Sequence, residues 1–370
     1  MKVALIIDTW FPTIGGGQTN ALEISKRLAK KGINIDIITR STGADDAKLP
    51  PNIKVVRLGP KAKPFDYLSK IAFLPRAYIY VAKGNYDLVH AHAFLPGIIA
   101  WLLKLQKGLP TVFTVHGTSR GTGLNNPLKS FFEELILTKL SYNAQISVSQ
   151  DFLKLKNVNK KIYYVPNGVD VKNFDNVSSM KPKYQTVLFV GRLHPQKNLI
   201  NLIKAISLVK KDISDIRLIL VGAGPQKKTL RNLAHQLNLD KNIVFEGQIV
   251  GTALIRLYKS SDLFVLPSIY EGQPLTVLEA WASKLPVVVS ATGDLPYIVK
   301  DGENGYLIEH PEDVEEIASQ IKKALGSKNL RNMGQNGYNL TVRDFSWEKS
   351  AQETLKIYNN LLNGSLFGKS

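Results

Sequence analysis

Short runs of β-branched and other apolar residues alternate with amphipathic helical segments along the whole chain, and the alternation restarts after Pro166-Asn167-Gly168. Such runs, separated by helices, are typical of parallel strands that are buried on both faces. The strands predicted before the break are residues 3–8, 33–39, 88–91, 111–115 and 146–148. The strands predicted after it are residues 186–190, 217–221, 243–245, 263–266 and 286–290. The pattern predicts two α/β domains, each with a mostly parallel sheet.

A length of 370 residues fits two domains at roughly 100–200 residues each. The break places the domains at residues 1–167 and 168–349, and a last amphipathic helix is predicted near residues 347–362. Ligands of open α/β sheets bind beyond the carboxyl ends of the strands. With two such sheets, the predicted site is the cleft between them, so the residues of interest are those in loops that follow strands.

Composition excludes several classes of protein. The chain has no Cys, which excludes disulfides, thiolate metal centres and a cysteine nucleophile. The longest apolar run, residues 93–103, is shorter than the roughly 18 residues that a membrane span requires. Residues 1–8 contain too few apolar residues for a signal peptide. The sequence therefore predicts a cytoplasmic protein.

The net charge of +18 is concentrated in the first half of the chain, where residues 1–165 carry +13. Such an excess indicates a surface that meets an anionic partner: nucleic acid, a phosphate-bearing substrate or acidic lipid headgroups. A lysine-rich proteome that keeps its proteins in solution would give the same balance. No nucleic-acid-binding motif is present, so the sequence predicts no nucleic-acid partner.

Two loops carry residues suited to binding phosphate. Gly15-Gly16-Gly17 follows the first strand and opens the first helix, where backbone amides can approach an anion. The alternative is a plain flexible turn, since the spacing matches neither the dinucleotide fingerprint nor the P-loop. Arg192 and Lys197 lie between a strand and a helix, where they can clamp two linked phosphates. The alternative for this pair is two solvated surface cations.

The most specific signal is a pair of acidic residues, Glu271 and Glu279, within an apolar context. Pro is favoured at the first helical position, which predicts a helix that starts near Pro274. Glu271 could then accept hydrogen bonds from sugar hydroxyls while Glu279 reaches a ribose. The alternative is two solvated acids.

Histidines follow two of the predicted strands. His116 ends the strand at residues 111–115, a position that favours a role in the site over a structural one. His90 and His92 fall on the same side of their strand, but no third ligand stands nearby in the sequence, and no Asp-x-Asp is present to hold a metal with a diphosphate. The sequence therefore predicts neither a metal nor a cofactor.

These motifs, in this order, resemble those of the family 4 retaining glycosyltransferases, nearly from end to end. The matching segments are the glycine loop, Thr114-Val115-His116-Gly117, Val165-Pro166-Asn167-Gly168-Val169-Asp170, Val190-Gly191-Arg192-Leu193 with Lys197-Asn198, and Glu271 with Glu279. The resemblance implies the α/β GT-B fold, with two Rossmann-like domains facing each other across a deep cleft. It also implies that a last helix, at about 350–370, crosses back to the first domain. The first domain would bind the acceptor and the second the nucleotide sugar.

The resemblance further implies metal-independent transfer of a sugar, with retention, from a nucleotide-diphosphate sugar to a hydroxyl acceptor. A UDP-sugar is favoured over GDP- and ADP-sugars, and the acceptor could be a glycan or lipid-linked. Arg192 and Lys197 would stabilise the diphosphate, Glu271 would hold the sugar hydroxyls and Glu279 the ribose. The donor-binding loop would comprise Gly272, Gln273, Pro274, Leu275 and Thr276. Gly16 and Gly17 would approach the phosphates, and His116 would lie against the donor sugar.

In many members of that family, Phe, Leu or Met stands at the position of Gln273, so this polar residue bears on the choice of sugar. The physical chemistry agrees with the resemblance, because cations and amides aimed at a departing diphosphate stabilise the transition state. No acid lies in the His116 segment, which favours front-face attack by the acceptor, with the leaving phosphate taking its proton.

The charge of the first half has a specific interpretation within this resemblance. Lys61, Lys63, Lys70, Arg76 and Lys83 are interleaved with Phe65, Tyr67, Ile71, Phe73, Leu74, Tyr78 and Tyr80, and Lys129, Phe131, Phe132 and Lys139 form a similar stretch. Such surfaces suit peripheral contact with an anionic membrane. The alternative is that the aromatic residues are buried and the lysines lie in solvent above them, which would give the same sequence pattern. Two further hypotheses remain at this point: a sugar-nucleotide epimerase on the same fold, and a non-catalytic basic protein that binds nucleic acid or anionic lipid.

Overall fold

The computed structural model describes residues 1–13, 15–43, 49–63, 66–117 and 127–366, without the side chains of 127–129 and 364–366. The chain divides into two compact units. Unit 1 comprises residues 1–167 and 347–370, and unit 2 comprises residues 168–346. Among the helices of the described residues, none is both long and apolar enough to span a bilayer.

Unit 1 is built on a parallel sheet whose strands have the order β3-β2-β1-β4-β5-β6-β7. The strands are β1 (Lys2–Ile7), β2 (Asn34–Arg40), β3 (Ile53–Leu58), β4 (Leu88–His92), β5 (Thr111–Val115), β6 (Ala144–Ser147) and β7 (Ile162–Tyr164). The helices are α1 (Gly16–Lys30), α2 (Tyr67–Lys83), α3 (Phe94–Lys107), α4 (Pro127–Thr138) and α13 (Trp347–Leu366). The central strands β4 and β5 are buried along their whole length, as a sheet covered on both faces requires.

The last helix belongs to unit 1, although nearly 180 residues of unit 2 separate it from the rest of that unit in sequence. It packs on α1, where Arg27 Nε donates to Glu348 Oε1 at 2.7 Å. The hydroxyl of Ser350 donates to the Pro166 carbonyl at 2.6 Å. Tyr358 of the same helix is fully buried. The apolar face of the predicted amphipathic helix thus packs into unit 1.

Unit 2 is built on a second parallel sheet, with the order β10-β9-β8-β11-β12-β13. The strands are β8 (Thr186–Val190), β9 (Arg217–Val221), β10 (Ile243–Gly247), β11 (Leu263–Leu266), β12 (Val287–Ser290) and β13 (Gly305–Ile308). The helices are α5 (Val171–Asp175), α6 (Leu199–Asp212), α7 (Lys227–Gln236), α8 (Gly251–Ser260), α9 (Leu275–Ala282), α10 (Leu295–Ile298), α11 (Val314–Leu325) and α12 (Leu330–Asp344). The strand order reverses between β8 and β11, and ligands of such sheets bind beside that reversal.

The structure adds three strands that the sequence pattern did not predict: β3, β7 and β13. β3 and β7 lie at the two edges of the sheet of unit 1, and β13 lies at one edge of the sheet of unit 2. β3 is only partly covered, and Lys54 and Arg57 interrupt its apolar residues, so it lacks the continuous apolar run that identified the others. β7 and β13 are runs of only three and four residues.

Candidate active site

The loops that follow β8 and β11 come together at the strand-order reversal of unit 2. The ammonium group of Lys197, in the first loop, forms an ion pair with the carboxylate of Glu271, in the second. These side chains are 13% and 8% exposed, so both are largely withdrawn from water. The backbone N–H of Ile269 donates to the Gln196 carbonyl at 2.9 Å, and the Gln196 amide donates to the Tyr270 carbonyl at 2.9 Å. The two loops therefore form one connected structure.

Arg192 begins the first of these loops and is exposed. Its Nη2 lies 3.4 Å from Oε1 of Gln196, a long hydrogen bond to a neutral group. A guanidinium held this way keeps other N–H groups available for an anion. Two of the predicted phosphate ligands, Arg192 and Lys197, are thus carried by one loop at the carboxyl edge of the sheet.

Gly293 packs closely against the backbone of the loop that carries Glu271. Its φ is +60°, and a Cβ built there would lie 2.4 Å from the carbonyl oxygens of Glu271 and Gly272. The next residue, Asp294, donates its N–H to the Gly272 carbonyl at 2.8 Å. The Gln273 amide donates to Asp294 Oδ2 at 2.6 Å, and both side chains are buried. Gln273 is thus hydrogen-bonded within the protein, to the residue that follows Gly293.

The Gly222-Ala223-Gly224 turn supports the Arg192 loop in the same manner. A Cβ at Gly222 would lie 1.9 Å from the Gly191 carbonyl oxygen. The N–H of Leu193 donates to the Ala223 carbonyl at 2.9 Å. These glycines permit close backbone packing between the turn after β9 and the loop after β8.

The prediction of a helix that starts near Pro274 is confirmed, although Pro274 itself is not the first helical residue. It is the residue that caps α9, with an extended backbone (φ −72°, ψ 120°), and the helix begins at Leu275. Because Leu275 and Thr276 are in the first turn, their amides have no acceptor within the helix. The amide-rich end of α9 therefore starts one residue later than expected and follows Glu271 closely.

Glu279 lies on α9 and accepts a hydrogen bond from the hydroxyl of Tyr258 on α8 at 2.8 Å. Burial raises the pKa of Glu279 to about 7, against the lowering effect of that hydrogen bond. Burial beside Glu279 also raises the pKa of Tyr258 well above its usual value. Tyr258 therefore stays a donor, and Glu279 changes its protonation state near neutral pH.

In unit 1, the glycine loop and His116 lie together. A Cβ added to Gly17 would lie 3.3 Å from Cδ2 of His116, so the glycine allows the helix to begin against the ring. Nε2 of His116 forms a hydrogen bond of 2.9 Å with Nδ1 of His92, which is buried at the end of β4. Burial lowers the pKa of His116 to about 4, which leaves the ring neutral at physiological pH.

His90 lies beside His92, with ring centroids 4.3 Å apart. Its Nδ1 pairs with the hydroxyl of Tyr358 at 2.6 Å and its Nε2 with that of Thr114 at 2.6 Å. Both ring nitrogens of His90 are thus occupied. Within the described part of the chain, no group of three or more His, Asp or Glu side chains is arranged to hold a metal ion.

Comparison with known proteins agrees with the family resemblance inferred from the motifs. A family model described as Glycosyl transferases group 1 matches residues 170–340, and one described as Glycosyltransferase Family 4 matches residues 14–173. The chain is a family 4 glycosyltransferase. The resemblance inferred from the motifs is confirmed.

Relatives of this glycosyltransferase match it over most of their length. An uncharacterised glycosyltransferase of Methanocaldococcus jannaschii is 27% identical over 97% of this chain and 98% of the relative. A D-inositol 3-phosphate glycosyltransferase of Salinispora tropica is 28% identical over 93% of this chain and 80% of the relative.

Solved structures confirm the GT-B fold of the glycosyltransferase. Sucrose-phosphate synthase from Thermosynechococcus elongatus aligns with a TM-score of 0.85 at 25% identity, over 98% of this chain and 99% of that one. The HepE protein of Anabaena, crystallised with UDP, aligns with a TM-score of 0.79 at 18% identity, over 97% and 100%.

Sequence reasoning missed three side chains that contact the predicted site residues of the glycosyltransferase. Tyr258 donates to Glu279, Asp294 accepts from Gln273, and His92 pairs with His116. Only His92 left a signal, because it ends a predicted strand on the same side as His90. Tyr258 and Asp294 come from other segments of unit 2, and no local pattern marks them.

Proposed function

We propose that this enzyme transfers a sugar, with retention of anomeric configuration and without a metal ion, from a nucleotide-diphosphate sugar to a hydroxyl acceptor. A UDP-sugar is the favoured donor, and HepE, which shares the fold, has been crystallised with UDP. The observation that carries the proposal is the Lys197–Glu271 pair at the strand-order reversal of unit 2. It combines a cation for the diphosphate with an acceptor for sugar hydroxyls.

The ion pair and phosphate binding are compatible. An ammonium group has three N–H donors, so Lys197 can keep one on Glu271 and offer the others to phosphate oxygens. Arg192 and the first-turn amides of α9 add donors at the same edge. As the bond between the anomeric carbon and the phosphate oxygen breaks, negative charge grows on the diphosphate, and these groups stabilise it.

The proposed geometry also accounts for the proton that the acceptor hydroxyl must lose. The acceptor oxygen forms its bond to the anomeric carbon on the face from which the diphosphate departs. Its proton passes to the departing phosphate oxygen, so the balance needs no protein nucleophile. The carboxylates of Glu271 and Glu279 are engaged by Lys197 and Tyr258 and serve as hydrogen-bond acceptors.

The donor is testable without knowledge of the acceptor. The enzyme should slowly hydrolyse at least one of a set of UDP-, GDP- and ADP-sugars, followed by ¹H NMR, with the UDP-sugars turned over fastest. Glu271→Ala should abolish the hydrolysis. Absence of binding of every donor at about 1 mM, the upper end of ordinary KM values, would contradict the proposal. Appearance of an epimeric donor in place of free sugar would indicate an epimerase.

Donor affinity should depend on the ionisation of Glu279. Its pKa of about 7 means that the carboxylate is ionised above that pH and protonated below it. Because a charged acceptor binds ribose hydroxyls more strongly, the Kd for a UDP-sugar should rise about fivefold from pH 8 to pH 6. Calorimetry with a UDP-sugar suits this test, since its diphosphate does not titrate in that range.

Glu279→Gln is the control for this pH dependence, because its amide oxygen still accepts from Tyr258. The variant should bind with a flat pH profile. Its stability should exceed that of the wild type at pH 8 but not at pH 4, because a carboxyl whose folded pKa is raised costs stability once ionised. If the Kd of the variant changed with pH as much as that of the wild type, Glu279 would not be part of the proposed donor site.

We further propose that unit 1 binds the acceptor and contacts an anionic membrane, which would suit a lipid-linked acceptor. The first two turns of α2 and the second turn of α4 expose large apolar side chains, including Leu68 (78%), Ile71 (59%) and Phe131 (60%). α3 packs against both helices, so these side chains belong to one side of unit 1. Helices that follow parallel strands begin at the carboxyl edge of the sheet, where His116 also lies.

Some of the residues on which the membrane hypothesis was based are exposed in the structure, and others are buried. Tyr67, Ile71, Phe131 and Phe132 are exposed, and so are the cations Lys61, Lys63, Arg76, Lys83 and Lys139. Phe73 is part of the core of unit 1, and Leu74, Tyr78 and Tyr80 pack against that core. Phe65 and the side chain of Lys129 lie outside the described residues. What remains is a surface of exposed apolar side chains beside cations, as peripheral binding to anionic lipid requires.

Sedimentation with vesicles of phosphatidylglycerol and phosphatidylcholine tests the membrane contact. The wild type should partition onto these vesicles at low salt, and Leu68→Ser with Ile71→Ser should weaken partitioning by about tenfold or more, given roughly 1.5–3 kcal/mol for each fully buried side chain. Met180→Ser in unit 2, which removes a side chain that is 91% exposed, is the control and should partition like the wild type. Equal partitioning of all three proteins would contradict the proposal.

A further inference from the structure

One hydrogen bond sets the chemical character of His116. Nδ1 of His92 and Nε2 of His116 are 2.9 Å apart, and the two rings lie edge to edge, with centroids 5.1 Å apart and planes inclined by 23°. Two neutral imidazoles can share such a bond only if one nitrogen carries a proton and the other does not. The position of that proton decides which nitrogen of His116 remains free to donate.

Burial keeps both rings neutral. It lowers the pKa of His116 to about 4 and that of His92 well below its usual value. Each ring therefore carries one proton near neutral pH. Either His92 donates from Nδ1, or His116 donates from Nε2.

The other nitrogen of His92 separates these two arrangements. Its Nε2 is buried and has no hydrogen-bond partner among the described residues. If His116 were the donor, the proton of His92 would sit on this Nε2 as a buried, unpaired N–H. Orphaned N–H groups are the rarer kind of buried unsatisfied group. A bare nitrogen lone pair in that position avoids the orphaned donor.

We infer that His92 donates its Nδ1–H to Nε2 of His116, and that His92 is thereby a positioning residue which leaves the proton of His116 on Nδ1. His116 then presents a neutral N–H donor and no free basic nitrogen. It is fitted to donate to an oxygen of the donor sugar and is unable to deprotonate an acceptor. This role in the reaction rests on the proposed function, whereas the tautomer itself does not.

The surroundings of His92 hold the pair in place. The ring of His90 lies 4.3 Å from that of His92, and Tyr358 and Thr114 fix His90 through both its nitrogens. On the other side, Gly17 leaves room for the ring of His116. A side chain constrained from both directions cannot turn its ring over, so Nδ1 of His92 stays against Nε2 of His116.

Two-bond ¹H–¹⁵N NMR of the ¹⁵N-histidine-labelled enzyme at pH 7.5 tests the inference without any substrate. The signals of His92 and His116 are assigned from His92→Asn and His116→Asn. Both rings should show the pattern of a protonated Nδ1 and an unprotonated Nε2. A protonated Nε2 on His116 would overturn the inference, whatever the activity of the enzyme.

Paired amide variants test the consequence for catalysis. The Asn amide nitrogen takes the place of Nδ1 of histidine, and the Gln amide nitrogen takes the place of Nε2. His92→Asn should retain at least tenfold more kcat than His92→Gln, with similar KM for the donor, and His116→Asn should exceed His116→Gln. Equal losses within each pair would show that these rings act only by filling space. Absence of turnover in the wild type would instead refute the proposed function and leave the NMR result standing.

Discussion

Lys197→Met is expected to lower kcat for donor turnover by roughly 10²–10³-fold, the usual effect of removing one group that stabilises charge in the transition state. Met has a similar length and no charge, so packing changes little. Lys197 is only 13% exposed and lies at the strand-order reversal, where water does not screen its charge well. Steady-state kinetics with a UDP-sugar measures the effect, and KM should change less than kcat.

Two companion variants separate chemistry from folding. Removal of Lys197 leaves the carboxylate of Glu271, 8% exposed, without its cation, which destabilises the loop. Lys197→Met combined with Glu271→Gln removes both charges and should regain stability but no activity. Lys183→Met, at an exposed position of the same unit, should behave like the wild type. Recovery of activity in the double variant would show that Lys197 is only structural.

Gly293→Ala is expected to cause the second large loss, a rise of at least tenfold in the Kd for the donor. The new Cβ would lie 2.4 Å from the carbonyl oxygens of Glu271 and Gly272, so the loop that holds Glu271 must move. The left-handed backbone adds roughly 1–2 kcal/mol of strain. Calorimetry gives the affinity, and urea unfolding gives the change in free energy of unfolding.

Gly302→Ala is the matched control for this substitution. Gly302 has a similar φ of +76°, but a Cβ there would meet nothing within 4 Å. The Gly302→Ala variant should therefore lose stability through backbone strain alone and keep the donor affinity of the wild type. If both variants bound the donor like the wild type, support of the Glu271 loop by Gly293 would have no bearing on binding.

The sequence predicted the central strands of both sheets because parallel strands covered on both faces must be continuously apolar. The run at residues 287–290 is an example, since every residue of β12 is buried. β3 was missed because Lys54 and Arg57 interrupt its apolar residues, and its place at the edge of the sheet tolerates them. Exposure at an edge is a property of the assembled sheet, which the strand's own residues do not encode.

For the site, as for the strands, the sequence predicted what depends on local pattern and not what depends on how the strands and helices assemble. Lys197 and Glu271 each follow a recognisable strand, so their loops could be assigned to the carboxyl edge of a sheet. Their direct contact depends on β8 and β11 being neighbours, which is a matter of strand order. The partners of the site residues, such as Tyr258 for Glu279, arrive from segments distant in sequence, where packing alone decides which side chains meet.

Calorimetric titration with UDP, a UDP-sugar and uridine at pH 8 tests most directly whether the Lys197–Glu271 site binds a nucleotide diphosphate. The enzyme should bind UDP and the UDP-sugar at least tenfold more tightly than uridine. Lys197→Met should remove most of that difference, and Lys183→Met should leave it intact. Equal affinity for uridine and UDP, or an unchanged preference in Lys197→Met, would contradict the account.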